Sequence, residues 1–375
     1  MKIILLANTD WYLFNFRVPL AVALRERGDS VLLLSPAGEY AEKLTSLGFN
    51  WQEIQLDRSG VNLFAEALSL LRLWKFYRHE KPDLVHHFTI KPVLYGSIAA
   101  LLAGVPVVIN SVTGLGYVFT RSSAALRSFV SFLYRLVLRR TWTIFENPDD
   151  RSVFVDQKLA DPQRITLIRG AGVDTKHFLS MPEPQGTPVV MLPARLLWDK
   201  GVGEFVEAAR ILKERGVTAQ FVLAGNLDPG NPSAVPLRLL DEWKMQNLVE
   251  WWGWQENMLE TYRRSTLVCL PSYREGVPTS LIEAAACGRA IVTTDVPGCR
   301  EIVRQDENGL LVPVRDAVGL ADALQRLLES PSLRQKMAKN GRRIAVDEFD
   351  IMLVVRSTVD YYDHAQSFLR GQHVG

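Results

Sequence analysis

The chain has 375 residues, is 47% hydrophobic and carries 43 basic against 41 acidic side chains, a formal net charge of +2. That apolar content can fill two ordinary domain cores, and the near-neutral balance excludes bulk electrostatic binding to a polyanion such as nucleic acid. Three cysteines, Cys269, Cys287 and Cys299, lie in or beside apolar segments without paired spacing, as expected of reduced structural thiols in a cytosolic protein.

Met1-Lys2 leads into IILLAN, too short for a signal sequence, and no uncharged apolar run reaches the roughly 18 residues of a spanning helix. The expectation is a soluble or peripheral protein. Residues 2–7 read as a parallel strand buried on both faces. Residues 8–15, NTDWYLFN, read as a loop without the G-x-G-x-x-G of a dinucleotide fold, which argues against NAD or FAD. Its aromatic residues Trp11, Tyr12 and Phe14, with Phe16, either pack the next helix or meet a lipid or sugar acceptor. A helix over 17–27 precedes a strand at 30–35, a helix at 39–47 and a strand at 51–54. Residues 62–79 place Leu63, Ala67, Leu70, Leu71, Trp74 and Tyr77 at helical spacing.

Residues 83–87 form a fourth strand that ends on His86 and His87 and runs into Thr89 and Lys91. Polar groups at the carboxyl end of a parallel strand sit where such sheets keep their sites, although a lone histidine is more often structural. A strand at 107–111 leads to Thr113-Gly114, where glycine allows close backbone approach to a ligand. Residues 126–140 read as a helix with Leu126, Phe129, Val130, Phe132, Leu133, Leu136 and Val137 on one broad face. Arg127, Arg135 and Arg139 lie off that face, and no acidic residue occurs from 121 to 140. Such a helix either faces a core or lies on an anionic membrane, with Phe129 and Phe132 as the inserting residues.

A strand at 143–146, an NPDD turn, a helix at 151–159 and a strand at 164–168 complete the first half. Pro182, Pro184, Gly186 and Pro188 mark a domain boundary, so the expected domains are 1–170 and 186–346. In the second, a strand at 189–193 is followed by a loop carrying Arg195 and Lys200. A planar fork and a point charge on one strand-to-helix loop suit a diphosphate, although two solvated surface cations are the default. Strands at 221–225 and 249–252, the latter ending in Gly253-Trp254, and helices at 234–245 and 257–263 lead to the stretch 267–300. This reads as strand 267–270, a loop with Glu275, a helix from Thr279 or Ser280 as cap to 287, and strand 290–294. A short helical piece from 297, a strand at 309–312, helices at 316–329 and 333–346, and a tail helix over 351–369 follow.

Ligands of doubly wound sheets bind beyond the carboxyl ends of the strands, and a helix N-terminus there suits a phosphate. Glu283, one turn into its helix, can accept from a ribose diol, while Glu275 on the Gly-Val-Pro loop can meet sugar hydroxyls. Two glutamates on a charged surface are the bland alternative, weakened by a strand-end loop and a small-residue helix.

Glu275 and Glu283, in E-G-V-P-T-S-L-I-E-A-A-A-C-G, resemble the E-x7-E signature of family 4 retaining glycosyltransferases. Those enzymes have the α/β GT-B fold, two Rossmann-like doubly wound domains facing across a cleft. Arg195 and Lys200 resemble the same family's R-x4-K-G motif, and Gly172-Val173-Asp174 its entry into the second domain. H-H-x-T-I-K-P and V-T-G-L-G-Y-V-F resemble members that build bacterial surface polysaccharides and lipid-linked oligosaccharides. Many family 4 enzymes carry His-Gly where this chain has Thr113-Gly114, a departure at the residue nearest the reacting sugar.

The resemblance implies that Arg195 and Lys200 neutralise a departing diphosphate, with Glu275 as the third catalytic residue on the donor sugar. Glu283, Gly276, Val277, Pro278, Thr279, Ser280 and Trp254 would bind the donor, a UDP-sugar by preference. His86, His87, Lys91, Thr113 and Gly114 are acceptor-side candidates, and the tail helix returns to the first domain. No D-x-D motif occurs, so neither a metal nor another cofactor is implied. The expected partners are a nucleotide sugar, an undecaprenyl-diphosphate-linked saccharide and the inner face of the cytoplasmic membrane, as in O-antigen or capsule assembly. A transferase on a small soluble acceptor, a nucleotide-sugar epimerase of the same fold and a non-catalytic regulator are the rival readings.

Overall fold

The structure is a computed structural model and describes residues 1–56, 63–114 and 124–372. The chain divides into two compact units, Met1–Ala171 with Met352–Gly375, and Gly172–Ile351. Residues 172–185 thus belong with the second unit.

The first unit runs β1 (Lys2–Leu6), α1 (Asp10–Glu26), β2 (Ser30–Ser35), α2 (Ala41–Ser46), β3 (Asn50–Glu53), α3 (Leu63–Glu80) and β4 (Leu84–Phe88). A π-helical turn, Pro92–Gly96, and α4 (Ser97–Ala103) then lead to β5 (Val107–Val112) and α5 (Ala124–Leu138). β6 (Trp142–Phe145), α6 (Pro148–Asp156) and β7 (Ile165–Leu167) follow. The strands form one parallel sheet in the order β3-β2-β1-β4-β5-β6-β7, with Ile3 opposite Val31 on one side and Leu84 on the other. Ile4, Leu6, Leu32, Leu34, Val85 and Val108 share a core with Leu73 and Tyr77 of α3. Each such side chain contributes about 1.5–3 kcal/mol over its exposed state, which is why these strands read as unbroken apolar runs.

Two helix starts differ from the sequence reading for the same reason. Residues 8–15 are mostly helix, because Thr9 accepts from the Tyr12 N–H at 3.1 Å and Asp10 lies in the first turn. The aromatic residues there pack on one another and on the fold, with Trp11 to Phe16 at 5.3 Å and Phe14 to Tyr40 at 5.2 Å between centroids. The NPDD stretch likewise opens α6 rather than a turn, since Asn147 caps the Asp150 N–H at 2.8 Å and Pro148 takes the first helical position. The segment 92–103, given no helix in the sequence reading, is helical throughout.

The second unit runs β8 (Val189–Pro193), α7 (Val202–Glu214), β9 (Gln220–Ala224), α8 (Leu237–Met245), β10 (Glu250–Gly253), α9 (Met258–Arg263) and β11 (Leu267–Leu270). It continues through α10 (Thr279–Ala286), β12 (Ala290–Thr294), α11 (Cys299–Ile302), β13 (Gly309–Val312), α12 (Ala317–Leu328) and α13 (Pro331–Phe349). Its parallel sheet has the order β10-β9-β8-β11-β12-β13. Val173 donates to Phe349 O and accepts from the Ile351 N–H, both at 2.9 Å, so the segments entering and leaving this unit lie side by side.

α14 (Ile351–Gln372) completes the first unit. Tyr361, His364 and Phe368 surround the Trp142 ring at 5.3–5.7 Å, and the Tyr361 hydroxyl donates to Arg164 O at 2.7 Å. The three cysteines are buried and unpaired, and burial pushes the Cys287 and Cys299 thiols up to about 12. Among the described residues no helix is long and apolar enough to cross a membrane.

Candidate active site

In the second unit the loops leaving β8, β11 and β12 are drawn together by close backbone contacts. Gly201, at φ +73°, lies so near Pro271 that a β-carbon would sit 2.1 Å from the Pro271 carbonyl oxygen. Gly298, at φ +82°, stands in the same relation to Gly276 O at 2.0 Å. Only glycine fits either place, so the lysine before Gly201 is delivered to the end of β11. Tyr273 N–H donates to Asp199 O at 2.9 Å and ties the same two loops. Thr293 and Thr294 of β12 donate their hydroxyls to Leu270 O and Ser272 O.

This scaffold brings two of the expected residues into contact. Lys200 Nζ lies 2.5 Å from Glu275 Oε1, and Ser272 Oγ donates to the same oxygen at 2.6 Å. The side chains are 23% and 11% exposed, so the pair is shielded but open to exchange. Arg195 is engaged elsewhere, its Nη1 2.7 Å from Asp228 Oδ2 in the loop after β9. Both cations expected to face a diphosphate are therefore held by carboxylates in the structure.

α10 begins at Thr279 with Pro278 in the cap position, and no side chain caps its first turn. The expectation that Thr279 or Ser280 supplies the cap is corrected, because the rigid Pro278 precedes the helix and puts both residues inside it. Gly276 and half-buried Thr279 and Ser280 lie beside buried Val277 and Pro278. One turn on, the Glu283 carboxyl accepts from Tyr262 at 3.0 Å, and burial pushes it up to about 7. Trp254 is 51% exposed just past β10.

The acceptor-side residues divide. His86 and His87 are sealed in the sheet, and their assignment to acceptor contact is corrected. His86 Nδ1 pairs with Tyr362 OH at 2.5 Å and Nε2 with Ser111 Oγ at 2.8 Å. His87 Nε2 pairs with Tyr77 OH and Nδ1 with Asn110 Oδ1, both at 3.0 Å. Asn110 Nδ2 donates to Thr141, whose hydroxyl donates to Val137 O, so Asn110 turns its oxygen to His87 and fixes the Nδ1–H tautomer. Burial holds both rings neutral, His87 at about 4. Lys91 is half-buried, 2.5 Å from Glu66 Oε1. Thr113 and Gly114 are half-buried just beyond β5, and residues 115–119 of the same motif lie outside the described residues.

The single apolar face expected of α5 is two faces. Val130, Tyr134, Val137 and Leu138 enter the core, whereas Phe129 is 51% and Phe132 61% exposed, with Leu126 and Leu136 beside them. Arg127, Arg135 and Arg139 are exposed, and Arg135 donates to Gln157 O at 3.0 Å.

The sequence reading passed over Tyr262, Ser272, Asp228 and Glu66. Ser272 had a signal in its place three residues before Glu275. The other three pair with the site across 21, 33 and 25 residues of chain, where no local pattern marks them.

Two parallel doubly wound units with a cation–carboxylate cluster at a strand-end loop define a GT-B sugar-transfer scaffold. Solved structures agree on the fold. Anabaena HepE in complex with UDP and glucose superposes at TM-score 0.79 and 18% identity, covering 97% of this chain and 99% of that one. Sucrose-phosphate synthase from Thermosynechococcus elongatus superposes at 0.81 and 19% identity, covering 98% and 100%.

Residues 174–344 match the family model "Glycosyl transferases group 1" and residues 2–147 match "Glycosyl transferase 4-like". The chain is 30% identical, over 97% of its length and 98% of the relative's, to an N,N'-diacetylbacillosaminyl-diphospho-undecaprenol α-1,3-N-acetylgalactosaminyltransferase of Campylobacter jejuni. It is 26% identical, over 80% of each chain, to a UDP-Gal:α-D-GlcNAc-diphosphoundecaprenol α-1,3-galactosyltransferase of Escherichia coli. This chain belongs to the group 1, family-4-like glycosyltransferases.

Proposed function

We propose that the protein is a retaining, metal-independent glycosyltransferase. It moves a hexosyl or N-acetylhexosaminyl group from a UDP-sugar to a polyprenyl-diphosphate-linked saccharide at the inner face of the cytoplasmic membrane. The observation that carries this reading is the Lys200–Glu275 pair at the end of β11, built into a chain similar over 97% of its length to a transferase whose name specifies an undecaprenyl-linked acceptor.

The chemistry follows from charge. As the bond to the sugar breaks, negative charge grows on the diphosphate, and preorganised cations lower the barrier by stabilising it. Lys200 and Arg195 supply those cations once the donor takes the places of Glu275 and Asp228. Glu275, released from Lys200 but still held by Ser272, then accepts from hydroxyls of the donor sugar. The free N–H groups at the start of α10 favour the phosphates, Glu283 the ribose diol and Trp254 the base. The acceptor hydroxyl attacks on the face from which the diphosphate leaves. A diphosphate oxygen takes its proton, so no protein base is needed.

The acceptor assignment is supported by the exposed Phe129 and Phe132 on a helix whose charged residues are all basic, a composition suited to an anionic lipid surface. The test is transfer by the purified protein from a panel of UDP- and GDP-sugars, with and without a short polyprenyl-diphosphate saccharide, in EDTA. Transfer that requires the lipid-linked acceptor and survives EDTA is expected. Conversion of the donor to another sugar nucleotide without acceptor would overturn the reading in favour of an epimerase.

A further inference from the structure

Tyr262 lies on α9, wholly buried, and its hydroxyl touches the one carboxyl that the motif places within reach of a nucleotide's ribose. The hydroxyl is 3.0 Å from Glu283 Oε2 and 2.8 Å from Ser280 O, the latter in the first turn of α10. The ring is anchored from several sides. Arg289 Nε donates to the Tyr262 carbonyl at 3.0 Å, Ser265 Oγ to the same oxygen at 2.9 Å, and Phe178 packs edge-on at 6.3 Å.

A tyrosine hydroxyl has one proton to give and can accept in return. Ser280 O can only accept. While Glu283 is neutral, it donates to Tyr262, which donates to Ser280 O. Once Glu283 is ionised, Tyr262 turns its proton to Oε2. The one hydroxyl thus serves both protonation states without the carboxyl changing place.

We propose that Tyr262 is a positioning residue for donor recognition, its hydroxyl pinning Oε2 of Glu283 so that the carboxylate meets the ribose diol in a fixed orientation. This rests on the reading of Glu283 as the ribose acceptor. The titratable groups facing Glu283 are Tyr262 from α9 and Cys287 on its own chain segment, the latter near Arg289 and Arg342. Burial, with Glu283 adding to it, keeps the Tyr262 hydroxyl protonated, so Tyr262 remains a donor throughout.

The experiment is calorimetric binding of UDP and of 2′,3′-dideoxy-UDP to wild type and Tyr262→Phe, with melting curves to show that the variant folds. Tyr262→Phe should weaken UDP about tenfold, the worth of one hydrogen bond to a charged group, and leave the dideoxy analogue unchanged. It should also move the fall in UDP affinity at low pH to a higher pH, because the bond it removes favours the carboxylate. Equal weakening of both ligands would make Tyr262 merely structural, and unchanged UDP binding would leave it without a role. Wild type that binds the two ligands alike would instead remove the ribose assignment of Glu283, and the inference with it, before any variant is compared.

Discussion

Lys200 and Glu275 come from loops 75 residues apart in sequence, yet their side chains meet at 2.5 Å because Gly201 lets one loop lie directly on Pro271 of the other. The ion pair holds the site's ammonium in place before any phosphate arrives. It also makes each partner's loss felt by the other.

Lys200→Ala should lower the transfer rate about 100- to 1000-fold, the usual worth of one preorganised group on developing charge. Lys200→Ala with Glu275→Ala should fall well short of the product of the single effects, since the two side chains touch. Single-turnover rates of the three variants measure this. Full additivity would show that the pair does not act as a unit.

Gly201→Ala should destabilise the second unit by at least about 2 kcal/mol, since it combines a left-handed backbone with a β-carbon 2.1 Å from Pro271 O. Gly216, also left-handed at φ +76° but with nothing near its added β-carbon, is the control and should cost less. Urea unfolding of the two variants gives the comparison.

Glu283 is pushed up to about 7 by burial, so the unfolded chain gives up this proton first, near the ordinary carboxyl value of 4.5. Its contribution to stability is complete below 4.5 and is lost as pH rises through about 7. Glu283→Gln should therefore raise stability at pH 8 by on the order of 2 kcal/mol and by much less at pH 5, while weakening UDP. Denaturant midpoints at the two pH values check the sign, and a larger gain at pH 5 would refute it.

Phe129→Ser and Phe132→Ser remove exposed rings, so the melting temperature should hold while binding to anionic vesicles falls about tenfold for each, if each ring buries apolar area worth roughly 1–2 kcal/mol. Flotation with phosphatidylglycerol vesicles is the assay, and unchanged binding would end the membrane assignment.

Tyr362→Phe leaves His86 Nδ1 without the hydroxyl it now meets at 2.5 Å, between two buried side chains. A loss of about 1–3 kcal/mol in the first unit is expected. Denaturant unfolding of the variant beside wild type would report it.

Strands were the most legible part of the chain. In the second unit 189–193, 267–270, 290–294 and 309–312 have the limits read from sequence, because strands buried on both faces are predominantly apolar runs between turn residues. Helix starts were harder. Thr9-Asp10 and Asn147-Pro148 carry ordinary capping chemistry, but WYLFNF hid the first helix's period and the charges of NPDD suggested a turn. The site separated in the same way. Lys200 and Glu275 sit in short motifs with their glycines beside them, whereas the burial of His86 is decided by Ser111 and Tyr362, 25 and 276 residues away. Nothing near a histidine in sequence tells whether distant hydroxyls will close over it.

The return of α14 to the first unit has a consequence for how the chain is made. The amino-terminal sheet leaves the ribosome first, but the hydroxyl for His86 and the rings around Trp142 arrive only after the whole second unit has been synthesised. Until then the nascent domain has an uncovered indole and an imidazole with only its Ser111 partner along one side, an opening of the kind that chaperones bind. A shortened chain ending at Ile351 would keep every donor-site residue and still carry that opening permanently.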